Sequence, residues 1–402
     1  ELYGPKMKRN QVFQKIIEDL DFAIQWLPEA GSEEANRLNK DIARHVKARF
    51  CLNEGTHYKY HDELEYASEA EKWLQMAATE SDKLITSGRY EIYNTGHPQE
   101  DYFNMYRIDD KSDLKEAVLY VDYKTNILEH NMAAAGREAG CGFSKSFVES
   151  FLCSDGLPIS LSNKYLGDET MRKETANRDP RLKQLILTND FPTNVTDDLK
   201  DSTFVVNEDE FITQHCFTGY RPIKGFNPIY SQALYMKSSF DGIAYRYAET
   251  LLINAEAKAE LNTITNADLD RTVNQLRDRV GMPHLTVNVG FTDPKWPDWG
   301  YSLSPILQEI RRERCIELAG EGFRFNDLKR WKAGKVLNNV LTYVGKRKPD
   351  GNLAIVYPNY TNPDLSYQAG KSRTWEDKMY LYPIPTGELQ RNPQLLPQNP
   401  GW

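Results

Sequence analysis

From Gln11 onward, apolar residues recur on a helical period. Val12, Ile16, Leu20, Ala23, Ile24 and Leu27 fall on one face, the spacing of an amphipathic helix. Pro28 ends it, since proline cannot donate the next backbone hydrogen bond. Asn39 stands where a side-chain oxygen would cap a second helix, which carries Ile42, Ala43, Val46 and Phe50 and ends near Gly55. A third helix is predicted from about Tyr66 to Ser87, with Ala70, Trp73, Leu74, Ala77 and Leu84 inward and Gly88 as its C-cap.

The pattern then changes. From Tyr90 to Gly242 the chain is rich in Gly, Pro, Asn, Asp and Tyr, broken by strand-like pieces at Ala117–Tyr123 and Leu182–Leu187 and one helix over Ser144–Cys153. Long irregular stretches inside a folded domain are often binding loops. Helical periodicity returns at Tyr245–Leu261 and at Asp268–Val280, where Leu269, Val273, Leu276 and Val280 line one face and Gly281 ends it. Ser304–Leu318 and a short piece around Asn326–Lys332 follow, and the tail from Tyr380 is proline-rich and extended. The expectation is a mostly α-helical single domain over residues 1–402: helical repeats at 1–90, a loop-rich binding region at 91–243, further helical repeats at 244–335 and an extended region at 336–402. Helix pairs with small residues at their crossings suggest tetratricopeptide-like repeats.

Composition narrows the function. The 402 residues carry a net charge of −8, and no run of five Lys/Arg occurs, so nucleic acid and anionic lipid are unsuitable partners. A neutral or cationic ligand suits the charge better. No apolar run approaches the roughly 20 residues of a membrane span. Five scattered cysteines without a CxxC argue against a disulfide framework or a zinc site. Signatures of nucleophile elbows, zinc proteases and phosphate or dinucleotide loops are missing from the sequence.

Several strings, in order, resemble the SusD/RagB family. They are Asp155-Gly156-Leu157-Pro158; Asn177-Arg178-Asp179-Pro180-Arg181-Leu182; Arg246-Tyr247-Ala248-Glu249 through Leu252 and on to Ala257; and Val273 to Pro283, reading VNQLRDRVGMP. The most diagnostic runs from Ile310-Arg311-Arg312-Glu313-Arg314 to Glu321-Gly322-Phe323-Arg324-Phe325-Asn326-Asp327-Leu328-Lys329-Arg330-Trp331, and the ending Tyr382-Pro383-Ile384-Pro385 to Trp402 also matches. The resemblance implies a non-enzymatic outer-membrane lipoprotein that captures oligosaccharide or polysaccharide and delivers it to a SusC-like TonB-dependent transporter, without a cofactor. It also implies a further N-terminal portion, with a lipidated cysteine that this chain does not contain, so that the opening at Glu1 reads as truncation. A RagB-like peptide binder and, less favoured, a helical glycoside hydrolase with two carboxylates roughly 5–9 Å apart remain open.

The matching motifs look structural. Glu309, Glu313 and Glu317 alternate with Arg311, Arg312 and Arg314 at spacings that pair along and between helices. Arg324 and Asp327 are expected to pair beside Trp331 and lock a helix junction, with Arg324 gripping an anionic ligand as the alternative. The Arg178–Arg181 element reads as a turn into a strand. Candidate ligand contacts lie outside the helical faces: Phe217, Tyr220, Phe226, Tyr230 and Tyr235, with Arg221 and Asn227 among them. Aromatic rings can cover the C–H faces of sugars while polar groups take the hydroxyls, although loop aromatics can equally be core. Trp296 and Trp299, flanked by Pro, Asp and Gly, offer a second platform, a partner-facing ridge or simple packing. Trp26, Trp73, Trp331 and Trp402 read as structural.

Overall fold

The computed structural model describes residues 3–32, 36–133, 142–194, 203–213, 215–227, 229–355 and 373–402. Seven helices of seven or more residues occur among them: α1 (Arg9–Trp26), α2 (Lys40–Tyr60), α3 (Ala67–Thr86), α4 (Tyr247–Glu260), α5 (Val273–Arg279), α6 (Pro305–Glu317) and α7 (Arg324–Arg330). Asn39 caps α2 as expected, its Oδ1 accepting from the N–H groups of Asp41 and Ile42 at 3.0 and 3.1 Å. Gly55 does not end that helix, which continues to Tyr60. A Cβ at Gly55 would lie 2.9 Å from Leu74 Cγ, so glycine is there to let α2 and α3 approach closely.

α1 turns inward most of the face its periodicity suggests: Ile16, Leu20, Ala23, Ile24 and Leu27 are half-buried, and only Val12 of that face is exposed. Phe13 and Ile17 are buried against Trp73 and its neighbours, while Val12, Phe22 and Trp26 are exposed. Trp26 is therefore not a core residue in this structure. α1 is also tied to α2 by charge, Arg9 donating to both oxygens of Glu54 at 2.6 and 2.7 Å.

α4 lies at the centre, with 13 of its 14 residues buried. It packs against α3 on one side and α6 on the other, so its polar positions need partners within the protein. Asn254 donates to Ala78 O and Ser81 Oγ, and Glu249, Glu256 and Glu260 each meet an arginine.

Between the helical layers runs a buried ion network. Glu317, on α6, accepts from Arg181, Arg246 and Arg279 at 2.6–3.0 Å, all four side chains being at most 2% exposed. Arg246 continues to Glu116 and Glu321, and Arg181 to Asp179 and Glu313. A second group joins Arg314 and Arg330 to Asp327 and Glu256. The expected Arg324–Asp327 pair does not form: the nearer, buried Arg314 and Arg330 hold Asp327, both at 2.9 Å. Arg324 only stacks at long range, 5.9 Å from the Trp299 ring and 6.0 Å from that of Trp331.

Two further expectations change. Leu182–Leu187 is not a strand; Asp179 turns the chain into a short helix, Arg181–Leu185, because its carboxylate caps the Arg181 N–H at 3.0 Å. The Asp268–Val280 helix is split at Thr272, whose φ −130°, ψ −95° is non-helical, into Asn266–Asp270 and α5. Three two-stranded antiparallel sheets complete the described residues: β1 (Ala117–Val121) with β4 (Gly242–Arg246), β2 (Pro192–Asn194) with β3 (Thr203–Phe204), and β5 (Val344–Arg347) with β6 (Leu353–Ile355). The irregular middle region has its own core, with Tyr102, Phe151, Leu182, Leu185 and Phe240 meeting Ile316 and Ala319 of the α6 end.

The network makes folding pH-dependent. Burial alone would raise the carboxyl groups of Glu317, Glu321 and Asp327, but the surrounding guanidinium and ammonium charges outweigh it and hold them below the usual range. Burial, helped by Arg9, pushes His57 down to about 2. In both cases the unfolded chain takes up protons at a pH where the folded protein does not, so stability is complete at neutral pH and lost on acidification. We expect the urea midpoint to start falling below about pH 6.5, where an unfolded histidine titrates, and to fall more steeply below about pH 4.5. Circular dichroism at stepped pH checks this; a midpoint that is flat down to pH 3 would contradict the account.

Candidate functional site

Two loop segments, 123–132 and 229–241, close on each other beyond β1 and β4. His130 and Ser238 exchange backbone hydrogen bonds at 2.8 and 3.1 Å, and the His130 ring nitrogen Nε2 lies 2.8 Å from Phe240 O. Met236 N–H donates to Asn131 Oδ1 at 3.0 Å, which secures a residue at φ +54°, a left-handed conformation that is unfavourable for a side chain with a Cβ. Lys237 pairs with Glu129 at 3.2 Å, and Gln232 bonds both the N–H and the hydroxyl of Ser239. The polar groups are thus used to brace the lobe.

Its exposed residues are mixed: Tyr235 is 73% exposed, Tyr230 49% and Ile127 82%, with Leu128, Met132, Leu234 and Met236 also exposed, and Lys124, Thr125, Asn126, Ser231 and Lys237 stand exposed among them. Exposed aromatic and apolar residues gathered on two bridged segments make this lobe a candidate interaction surface.

Met132 also borders a cavity of about 1090 Å³. One wall is the α1–α2 face, with Phe13, Ile16 and Phe50; the opposite wall is β4 and the Gly320–Phe323 turn. Gly320 and Gly322 both sit at positive φ, 76° and 84°, so this turn depends on glycine. Cations and carboxylates alternate around the wall: Arg49 with Glu249, Lys224 and Arg246 with Glu321, and Arg314 and Arg330 with Asp327. Burial brings Lys224 and Lys111 down to about 8. For Glu249, burial works upward, yet His45 and Arg49 hold it at about 2.

The nine residues singled out from the sequence divide sharply. Tyr230 and Tyr235 stand on the exposed lobe. Tyr220 is fully buried, its hydroxyl donating to Glu174 at 2.8 Å beside Lys145. Phe226 is buried against Phe191, and Asn227 is buried with its Oδ1 accepting the Ile229 N–H. Trp299 is 4% exposed, its Nε1 bonded to Gln308 and its ring edge-on to Trp331. These four are core residues, because each has a polar handle or ring that a neighbour within the fold satisfies. Trp296 is half-buried and donates to Glu309 at 2.7 Å. Phe217 and Arg221 are half-buried, and the Arg221 carbonyl accepts from Leu187 N–H at 2.8 Å. The 217–227 aromatics and the tryptophan loop therefore do not join Tyr230 and Tyr235 in one platform.

Sequence reasoning missed Ile127, Leu128, Met132 and Met236, which follow no period and lie on two segments joined by the His130–Ser238 bridge. It also missed the cavity, whose walls come from positions as distant in sequence as Phe13 and Phe323.

The described residues form a mostly helical scaffold with an irregular lobe beside the cavity. The SusD family model matches residues 78–402, and the chain belongs to that family. It is similar to SusD-like protein P2 of Formosa agariphila, 23% identical over 410 residues, which cover 99% of this chain and 66% of that protein. The fold matches a SusD-like protein from Bacteroides fragilis with a TM-score of 0.70 at 24% identity, over 99% of this chain and 72% of the other. It also matches a SusD-like carbohydrate binding protein from the same species, with a TM-score of 0.68 at 22% identity, over 98% and 72% respectively. Among the described residues no helix is long and apolar enough to cross a membrane.

Proposed function

We propose that this protein binds an oligosaccharide or polysaccharide at the surface of an outer membrane and hands it, without chemical change, to a SusC-like TonB-dependent transporter. Membership of the SusD family and the carbohydrate-binding description of a structural relative support this reading. The observation that carries it is the pair of exposed tyrosines, Tyr230 and Tyr235, on a braced lobe. Sugar rings present C–H faces that such side chains can cover. Glu249, Glu321 and Asp327 in the cavity wall are each paired to cations of the fold, which suits a structural role for these three carboxylates.

Native gel electrophoresis through soluble polysaccharides tests the reading. Migration is expected to be retarded by at least one glycan class, and less so for Tyr235→Ala. Unretarded migration in every polysaccharide, together with saturable binding of peptides, would replace it with a peptide-capture function.

A further inference from the structure

The structure assigns to His130 a positioning role in glycan capture: its neutral ring fastens the two lobe segments together, and protonation unfastens them and weakens binding. This rests on the glycan-binding reading and adds to it the residue that orders the surface and the response of that surface to acid.

The hydrogen bonds fix the state of the ring. Met132 N–H donates to His130 Nδ1 at 3.1 Å, so Nδ1 must carry a lone pair. Nε2 lies 2.8 Å from Phe240 O, which can only accept, so Nε2 must carry the hydrogen. One neutral tautomer satisfies both contacts. The imidazolium satisfies only the second, because its Nδ1–H would face the Met132 N–H. The ring is half-buried and edge-on to Tyr123 at 4.5 Å and to Phe240 at 4.6 Å, so turning it away would disturb both neighbours. Its two hydrogen-bond partners lie on opposite segments, and losing the ring contacts loosens the segment that carries Tyr230 and Tyr235.

The surrounding charges do not compensate a second proton. Burial lowers the His130 pKa most, the Phe240 carbonyl works upward and Lys111 downward, and the balance is a lowered value. Asp241 has its oxygens on the N–H groups of Lys111 and Tyr123, at 3.0 and 2.8 Å. Lys124 pairs with Asp122, and Lys237 with Glu129. Lys237 holds Glu129 below the usual carboxylate range, so that carboxylate stays ionised down to pH 5. His130 is the one histidine in residues 123–132 and 229–241, and so the one brace among the described residues of the lobe that changes charge between pH 7.5 and 5. The parted lobe takes up its proton near an ordinary histidine pKa of about 6.5, the closed lobe only at lower pH. Closure is therefore fully favoured above about pH 6.5 and weakens as pH falls, by up to roughly 30-fold at pH 5.

Hydrogen exchange of the free protein, read on peptides from 123–132 and 229–241 and corrected for the chemical rate at each pH, follows the lobe without any sugar. Calorimetry with the polysaccharide that retards migration follows capture over the same range, pH 7.5 to 5. His130→Gln and His130→Asn keep an amide donor and acceptor at this position but cannot titrate. Wild type is expected to lose protection in both segments by roughly three- to thirty-fold at pH 5 and to lose affinity over the same interval, while the variants show neither pH dependence. Protection that stays flat in wild type, or falls equally in wild type and variants, would overturn the role of His130 and leave the glycan reading intact. Affinity that holds while protection falls would overturn it too. Protection that falls as expected in a protein that no polysaccharide retards would remove the glycan reading, and the positioning role with it.

Discussion

Glu317→Gln is expected to cost about 3–5 kcal/mol of folding stability, a large part of the roughly 5–15 kcal/mol that holds a typical domain together. The substitution keeps the shape of the side chain and removes one charge. Glu317 is 0% exposed and accepts from Arg181, Arg246 and Arg279, so the amide leaves a net positive charge with no route to water. An amide also offers one acceptor oxygen where the carboxylate offers two, and both are in use. Arg181 and Arg246 retain other carboxylates, which softens the loss. Arg279 depends most on Glu317, since its remaining partner, Glu116, is at 3.4 Å. Urea unfolding followed by circular dichroism gives the value. A cost below about 1 kcal/mol, the level of exposed ion pairs, would mean that the network is solvated.

Trp331→Ala is expected to cost a comparable amount, about 3–5 kcal/mol, the range for deleting a large buried aromatic. The ring is fully buried and donates from Nε1 to Glu256 at 2.7 Å. It also lies under the guanidinium groups of Arg311 and Arg330, at 4.3 and 4.5 Å from their carbons, an arrangement that adds cation–π attraction to area burial. Trp331→Phe retains a ring for the cations and loses only the N–H, so it should cost about 1–3 kcal/mol. Trp26→Ala, at a position 68% exposed, should change stability by less than about 0.5 kcal/mol. Equal urea midpoints for the Trp331→Ala and Trp26→Ala proteins would contradict the burial that separates the two tryptophans.

The same two tryptophans show how far the sequence could be read. The starts of α2, α3 and α4 came out within a few residues, although α2 runs on past Gly55 to Tyr60 and α4 is buried nearly all round rather than on one face. In α1 the period located the helix and its inward side, Ile16, Leu20, Ala23, Ile24 and Leu27 lying beside the buried Phe13 and Ile17, and misplaced only Val12. The signature from Ile310 to Trp331 was legible as structural charge pairing, but the partners were not: Asp327 is nearest in sequence to Arg324 and Arg330, and only the packing of α6 on α7 brings in Arg314. Loop aromatics were hardest. Tyr220 and Tyr230 sit in similar local sequence, and what separates them is a buried carboxylate, Glu174, 46 positions from Tyr220. No local pattern encodes that contact. The exposed lobe depends likewise on the His130–Ser238 bridge between distant segments.

The central claim is that Tyr230 and Tyr235 form the glycan-capturing surface. Calorimetric titration of the wild-type protein and of Tyr230→Ala/Tyr235→Ala with the polysaccharide that retards migration tests it most directly. Tyr382→Ala, at an equally exposed tyrosine elsewhere, serves as the control. With each aromatic platform contributing about 0.5–1.5 kcal/mol, the double variant should bind roughly 5- to 150-fold more weakly with its urea midpoint unchanged, and the control should bind as wild type does. Undiminished affinity in the double variant would contradict the account and place capture elsewhere on the protein.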